Sequence, residues 1–297
     1  MDLDDLHLAV VIAREGSLAA AAQVLGYSQP TLSKAVARLE RETRVRLFER
    51  VARGMRPTEL GRAFLARAQQ IDLAAADLHA QMRDLRQARA GELHFGVGLG
   101  LPDRWVAPAV RALADDGVRL HLSGGMPDAL LPRVALGELA FCLSGLSTAP
   151  GGNLAWEPLR ADPIQPLAPL GHALTQGRRR PGWDELAQAR WVVPGPGTST
   201  HAEFVRNFES YGSLPQQLLI SHSSLRELAL AATLGALVLV ASSRLQDPAV
   251  RERFVPVSPP GGWPSTRQIA LVSREGGYLS PAAERAMALL REAVRAS

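Results

Sequence analysis

The stretch GSLAAAAQVLGYSQPTLSKAVARLE, residues 16–40, carries two helix signals separated by one tight turn. Ser17 can cap a helix running from Leu18 to about Leu25, and its near-uniform alanine and leucine content lets it approach a neighbour closely. Gly26-Tyr27-Ser28 then turns the chain, with a glycine that tolerates left-handed backbone. Ser28 reads as the N-cap of the next helix, with Gln29 and Pro30 in its first turn, where a missing amide hydrogen costs little. Tyr27 and Leu32 are spaced for a hydrophobic staple across that cap. Leu32, Ala35, Val36 and Leu39 make one apolar stripe. The other face carries Thr31, Ser33, Lys34, Ala37 and Arg41, with Gln29 at the exposed amino end. Small polar groups, one amide and a cation suit a helix that enters a DNA major groove with its N-terminus leading. Lys34 is the only lysine in 297 residues.

Upstream, Leu3, Leu6, Val10 and Ala13 recur at helical spacing and predict a first amphipathic helix ending near Arg14-Glu15-Gly16. Downstream, Val45, Leu47 and Val51 predict a short strand pair turning at Gly54. Its arginines, Arg50, Arg53 and Arg56, read as a wing against phosphate or the minor groove, or as an ordinary surface hairpin. Thr58 caps a long helix with Glu59 at its positive end. Phe64, Ala68, Ile71, Ala75, Leu78, Met82 and Leu85 alternate spacings of four and three, the pattern of a coiled-coil seam. A partner helix explains that stripe better than packing on its own domain, because a boundary follows at Arg89-Ala90-Gly91. The predicted dimerisation residues are Phe64, Ile71, Leu78, Met82 and Leu85.

Charge supports a polyanion site. Between Ser28 and Thr58, eight basic residues stand against three acidic ones, and that surplus of five exceeds the net +4 of the whole chain. Length favours two units over one core. No apolar run reaches the roughly 18 residues of a membrane span, and MDLDDLHL lacks the pattern of a signal peptide. Cys142, the only cysteine, allows no internal disulfide and no thiolate zinc site. The expected location is the cytoplasm, associated with the nucleoid.

An enzyme is the competing class. His7 and His79 fall on helices of the first ninety residues, and His94, His121, His172, His201 and His222 stand singly, with no HxxxH or HExxH pair. No GxSxG elbow marks a nucleophile. Cys142 ends an apolar run and reads as a buried, inert thiol. Pro194–Ser199 is glycine-rich but lacks the lysine of a phosphate-binding loop. Arg178-Arg179-Arg180 reads as an exposed loop. No catalytic residue, metal site or cofactor is predicted.

Taken together, residues 16–40 and RLFERVARGMRPTELG (46–61) resemble the helix-turn-helix, wing and linker of the LysR-type transcriptional regulators. Order, spacing and residue type over about sixty residues make that resemblance specific. It continues more faintly through Gly91–Gly98, Gly125, LLPRVALGEL (130–139), Leu170-Gly171-His172, Trp191–Pro194 and Leu234–Ala236. The resemblance implies an α/β protein overall: an all-α winged helix-turn-helix at 1–58, a linker helix at 59–90, and an effector-binding domain at 91–297. That last domain would be periplasmic-binding-protein-like, with subdomain I at 91–162 and 267–297 and subdomain II at 163–266. Strand-like runs at Val118–Leu122, Leu139–Leu143, Trp191–Val193 and Ile269–Ser273, alternating with helical stretches, fit such a fold. Crossings are expected near Ala161-Asp162 and Pro264–Arg267, with the last helix returning to subdomain I.

The resemblance implies double-stranded promoter DNA as partner, a dimer or dimer of dimers, and a small-molecule effector; it also allows RNA polymerase. The predicted DNA contacts are Ser28, Gln29, Pro30, Thr31, Ser33, Lys34, Arg38, Arg50, Arg53 and Arg56. The predicted effector contacts are Gly98, Leu99, Leu101, Pro127, Thr198, Ser199, Thr200 and His201. This chain departs from the family where serine or threonine often follows the first strand and the glycine matching Gly125. Leu99–Pro102 and Met126-Pro127 stand there instead, and Ala140 replaces the usual acidic residue after GEL. A fairly apolar effector, or none, is therefore expected. A constitutive DNA-binding protein without a sensing function stays open, because an empty cleft and an occupied one share a fold.

Overall fold

The computed structural model describes residues 1–52, 54–86, 91–176, 180–196, 198–212, 215, 217–221, 226–264 and 266–296. Two compact units, Met1–Arg86 and Gln87–Ser297, divide the chain. The expected boundary at Arg89-Ala90 and the arginines Arg178 and Arg179 lie outside the described residues.

In the first unit, α1 (Leu3–Glu15) is capped by Asp2 and stopped by Gly16 at φ 70°. Helix α2 (Leu18–Leu25) is capped by Ser17 and ends on Gly26 at φ 69°. Helix α3 (Gln29–Thr43), the hairpin β1 (Phe48–Val51) and β2 (Gly54–Pro57), and α4 (Glu59–Arg86) follow. The apolar stripe of α3 (Leu32, Ala35, Val36, Leu39) is buried with Leu6, Ile12, Ala21, Leu47 and Phe48.

Helix α1 buries Leu6, Leu8, Ala9, Val11 and Ile12, which corrects the expected stripe. Leu3 is exposed, and Val10 and Ala13 are half-buried. The cause is tertiary: α2, α3 and α4 all pack on α1, so its buried arc is wider than one stripe. The Tyr27 staple is also absent; Leu32 is buried while Tyr27 stays 52% exposed.

Helix α4 divides along its length. Leu65 and Ala68 are buried in the first unit's core and Phe64 packs against it, whereas Ile71, Leu78, Met82 and Leu85 are exposed. Phe64 thus belongs to its own domain's core rather than to a free seam. A helix of 28 residues is about 42 Å long at ~1.5 Å per residue, more than this small unit can cover.

The second unit begins with β3 (Glu92–Gly98), α5 (Asp103–Asp115), β4 (Arg119–Gly125), α6 (Pro127–Ala135), β5 (Phe141–Leu146) and the long β6 (Leu154–Pro169). Next come α7 (Trp183–Gln188), β7 (Arg190–Pro194), α8 (Ser199–Glu209), β8 (Gln217–Ser221), α9 (Glu227–Leu234), β9 (Leu237–Ala241), α10 (Pro248–Arg251) and β10 (Phe254–Pro256). Strand β11 (Thr266–Arg274) and α11 (Pro281–Arg295) complete it.

The strands run β4-β3-β5-β11-β6-β9-β7-β8, with β10 paired to β6. Strand β6 joins two half-sheets: its first part pairs with β11 as far as Pro163↔Thr266, and from Ile164 it pairs with β9. The chain therefore crosses between subdomains at 163–164, and returns through the residues that lead into β11. Helix α11 packs on α5 and β6, burying Ala286, Met287 and Leu290 with Phe95, Trp105 and Phe141. A separate core around Trp191, Phe204 and Phe208 serves the other half. Strand β5 starts at Phe141, two residues later than the apolar run predicts. Gly137 at φ 73° stops α6, and the Leu139 amide still bonds the Arg133 carbonyl of that helix end.

Candidate nucleic-acid interface and ligand cleft

The exposed N-terminal face of α3 is built by its own cap. Ser28 Oγ accepts from the Thr31 amide at 3.3 Å and lies 2.8 Å from Thr31 Oγ1. Thr31's hydroxyl is thus engaged with the cap. Gln29, Pro30, Thr31 and Lys34 are exposed and Ser33 is half-buried. Exposed Tyr27, one residue before the cap, joins this face; its sequence signal pointed to packing instead.

Arg38 behaves differently. Its Nε and Nη2 donate to the two carboxylate oxygens of Asp5, which is 1% exposed on α1. This pairing ties α3 to α1 and neutralises the charge, so Arg38 is a fold-holding cation before it is a DNA contact. Asp5 lies 33 positions away, and helical spacing gives no hint of the pair.

On the hairpin, Arg56 stands opposite Glu49 and Arg50 opposite Met55. Side chains alternate along a strand, so the two exposed arginines lie on opposite faces of the ribbon. Arg53 lies outside the described residues. The hairpin is fixed by groups that sequence reading missed. Glu40 Oε1 on α3 accepts from the Leu47 and Phe48 amides at 2.7 and 3.1 Å. The Met55 amide donates to the Gly16 carbonyl at 2.8 Å. A Cβ on Gly54 would lie 2.2 Å from that same oxygen, and one on Gly61 would lie 1.9 Å from the Leu47 carbonyl oxygen. Thr58 caps α4 by accepting from the Gly61 amide at 2.9 Å.

A cleft of about 450 Å³ opens between the halves of the second unit, within the range of small-molecule sites. Leu99, Thr198 and Thr200 line it, while Gly98 and Pro127 line a recess of about 10 Å³ beside it. Leu101 does not: it is buried in the core of the first half-sheet. His201 lines neither space, and its Nδ1 lies 2.9 Å from the Pro194 carbonyl oxygen. The side chain of Ser199 lies outside the described ones.

Sequence reading missed the charged groups. Arg267 Nε and Nη2 donate to Asp162 Oδ2 at 3.0 and 2.9 Å. Asp162 is 2% exposed and also accepts from the Ser243 amide and hydroxyl, each at 2.9 Å. Arg267 extends past Gly145, where a Cβ would meet its Cδ at 2.6 Å. Glu227, Arg244 and Asp128 line the cleft as well. Burial pushes the Glu227 carboxyl above its ordinary value, and the Arg244 charge opposes that rise. Ser144 Oγ is fully buried, has no hydrogen-bond partner among the described residues, and borders the recess. The cleft is mixed in character: Leu99, Met126 and Leu239 are apolar, yet two arginines and two carboxylates share the space. Those charges come from segments far apart in the chain, which the departures after β3 and β4 do not reveal.

Cys142 is buried on β5, and burial pushes its thiol up to about 12. A thiol so rarely ionised is a poor nucleophile or redox centre. The histidines are not all apart, however. Parallel pairing sets His94 on β3 directly beside His121 on β4.

Comparison with known proteins agrees with these two units. Residues 3–62 match the bacterial regulatory helix-turn-helix protein, lysR family, and residues 86–295 match the LysR substrate binding domain. The regulator CbbR of Rhodospirillum rubrum is 26% identical over 297 residues, covering 99% of this chain and 97% of that protein. A small neutral protease regulatory protein of Streptomyces coelicolor is 38% identical over 143 residues, 47% of this chain and 42% of its own. Among solved structures, ArgP of Mycobacterium tuberculosis aligns with TM-score 0.70 at 16% identity, covering 99% of this chain and 97% of that one. A full-length OxyR of Pseudomonas aeruginosa gives 0.64 at 24% identity, covering 99% and 95%.

A winged helix-turn-helix joined to a two-lobed α/β ligand-binding unit defines a one-component transcriptional regulator. The chain belongs to the LysR family of such regulators, with an N-terminal DNA-binding domain and a C-terminal effector-binding domain.

Proposed function

We propose that a dimer of this chain inserts two α3 helices into successive major grooves of promoter DNA and that a small amphipathic effector in the cleft modulates that binding. The exposed N-terminal face of α3 carries the reading, with Gln29, Thr31 and Lys34 presented together beside the Ser28 cap. Gln29 can pair bidentately with adenine, worth roughly 1–3 kcal/mol of discrimination. Arg50 and Arg56 reach phosphates from the two faces of the hairpin. The CbnR regulator has been solved with its target DNA, which supports the same use of the shared fold. Exposed Ile71, Leu78, Met82 and Leu85 on α4 supply the dimer seam, and a dimer of dimers extends it.

In the cleft, Arg244 and Arg267, with Ser144 at the adjoining recess, favour a ligand that joins an apolar body to an oxygen-bearing polar end. Ligand shifts DNA binding only as far as it binds two arrangements of the halves unequally. The setting is the cytoplasm and nucleoid, with RNA polymerase a further partner at the promoter. The relatives are named transcriptional regulators, which supports a role in regulation without catalysis.

Binding of the full-length protein to duplex fragments from upstream of its own gene, measured by fluorescence anisotropy over a salt series, tests this reading. A steep salt dependence and a footprint of two half-sites one helical turn or a multiple apart are expected. Equal affinity for these fragments and for random duplex would overturn it. Thermal shift of the same protein against a metabolite panel tests the effector class, with amphipathic acids expected to stabilise most.

A further inference from the structure

We propose that Glu92, His94 and His121 form a surface site for a divalent transition-metal ion of the zinc, nickel or copper class. His94 and His121 are cross-strand neighbours in the parallel β3–β4 register, and Glu92 lies two residues before His94, hence on the same face. The imidazole rings stack with centroids 4.2 Å apart and planes within 2°. Glu92 Oε1 lies 3.4 Å from His94 Nε2 and pairs more closely with His121 Nε2. One ligand atom from each of the three residues falls within 4.8 Å of the others.

A tetrahedral ion with nitrogen and oxygen ligands at about 2.0–2.2 Å needs those atoms about 3.4 Å apart. The atoms lie near that spacing, but the Glu92–His121 pair must open and the stacked rings must turn so that both lone pairs meet at one ion. All three side chains are about half exposed, so rotation about their own torsions supplies both movements without moving the strands. The donor set selects the class of ion. Two imidazoles and one carboxylate suit borderline d-block ions, whereas calcium and magnesium require oxygen ligands throughout. Strand β4 is the edge of the sheet, which leaves the remaining coordination positions to water. Arg119, exposed and opposite Glu92 in the register, opposes the charge of the ion and points to micromolar rather than tighter affinity. No short-range motif announces the site, because 27 positions separate His94 from His121 and only the strand pairing joins them.

Isothermal titration of untagged full-length protein with zinc chloride, in chelator-free buffer at mildly alkaline pH, tests the proposal. One saturable equivalent per chain is expected, and copper(II) at the same site should give an electron paramagnetic resonance spectrum with two coordinated nitrogens. His94→Ala and His121→Ala should each weaken binding by about tenfold or more, since each removes one of three ligands. Glu92→Gln should weaken it less, and His79→Ala, at an exposed position on α4, should leave it unchanged. Circular dichroism checks that these surface variants fold. Absence of saturable zinc binding by the parent protein, or parent-like binding by the His94→Ala/His121→Ala double variant, would overturn the proposal. Neither result bears on DNA recognition, which these measurements do not involve.

Discussion

In the helix-turn-helix, Gln29, Thr31 and Lys34 stand within six consecutive positions of one helix, and the hairpin beside them is placed by backbone touching backbone at Gly54 and Gly61. At the ligand cleft, Arg267 pairs with buried Asp162 from 105 positions away, Ser243 bonds the same carboxylate from 81 positions away, and charge holds them together. At these two glycines the first arrangement tolerates almost no added volume. The second depends on one buried carboxylate. The two units should therefore fail in different ways when perturbed.

The largest effect is expected at Gly61. Its missing Cβ would lie 1.9 Å from a backbone oxygen, which cannot swing aside as a side chain can. Gly61→Ala should cost the first unit about 4 kcal/mol, whereas Gly151→Ala, with nothing within 4 Å, should change stability by less than about 0.5 kcal/mol. Denaturant unfolding followed by circular dichroism separates the two. Equal effects would mean that close backbone approach is not what places the hairpin.

Asp162→Asn is nearly isosteric but leaves Arg267, only 16% exposed, without its counter-charge. The expected loss is about 3 kcal/mol in the second unit, read from the same unfolding curves. A loss below about 1 kcal/mol would show that the Ser243 hydrogen bonds, rather than the ion pair, join the two half-sheets there. Next comes Arg38→Ala, which strands buried Asp5 in the first unit. Because the Arg38 side chain is half exposed, water compensates in part, and the loss should be smaller than that of Asp162→Asn. Lys34→Ala reverses the pattern. Stability should hold while operator affinity falls by about 1 kcal/mol and the salt slope drops by about one. If Lys34→Ala destabilised the fold and Arg38→Ala affected DNA binding alone, the assignments of these two cations would have to be exchanged.

That contrast also explains what the sequence made legible. Caps at Ser17, Ser28 and Thr58 and the α3 stripe act within one helical turn or one face, and local spacing exposes them. The alternation of strands and helices likewise marked the second unit as α/β, and the family resemblance supplied its two lobes. Long-range partners left no such trace. Nothing near Arg38 announces Asp5, nothing near Leu47 announces Glu40, and nothing near Gly125 announces Arg267 across the cleft. Helix α4 was legible only as a pattern. Its heptad spacing is regular, but the structure alone shows that Phe64 and Ala68 serve the local core while Leu78, Met82 and Leu85 stay exposed.

The smallest effect lies between these extremes, at a long-range pair that water reaches. Glu157 on β6 accepts from Arg291 of α11 at 2.7 and 2.8 Å, with Arg295 3.4 Å away. The Arg291 hydrogen bonds, aided by both charges and opposed by burial, hold the Glu157 carboxyl below its ordinary value. A depressed folded-state value means that the stabilisation is present above the unfolded-state pKa and is lost as pH falls through the folded one. At 38% exposure the pair is screened, so Glu157→Gln should cost under about 1 kcal/mol at neutral pH. Parent and variant curves should converge in acid, where the parent carboxyl is protonated, and high salt should narrow the gap at neutral pH. A gap that ignored both pH and salt would make this contact a matter of shape and neutral hydrogen bonding. The contrast with Asp162 would then rest on burial alone and not on charge.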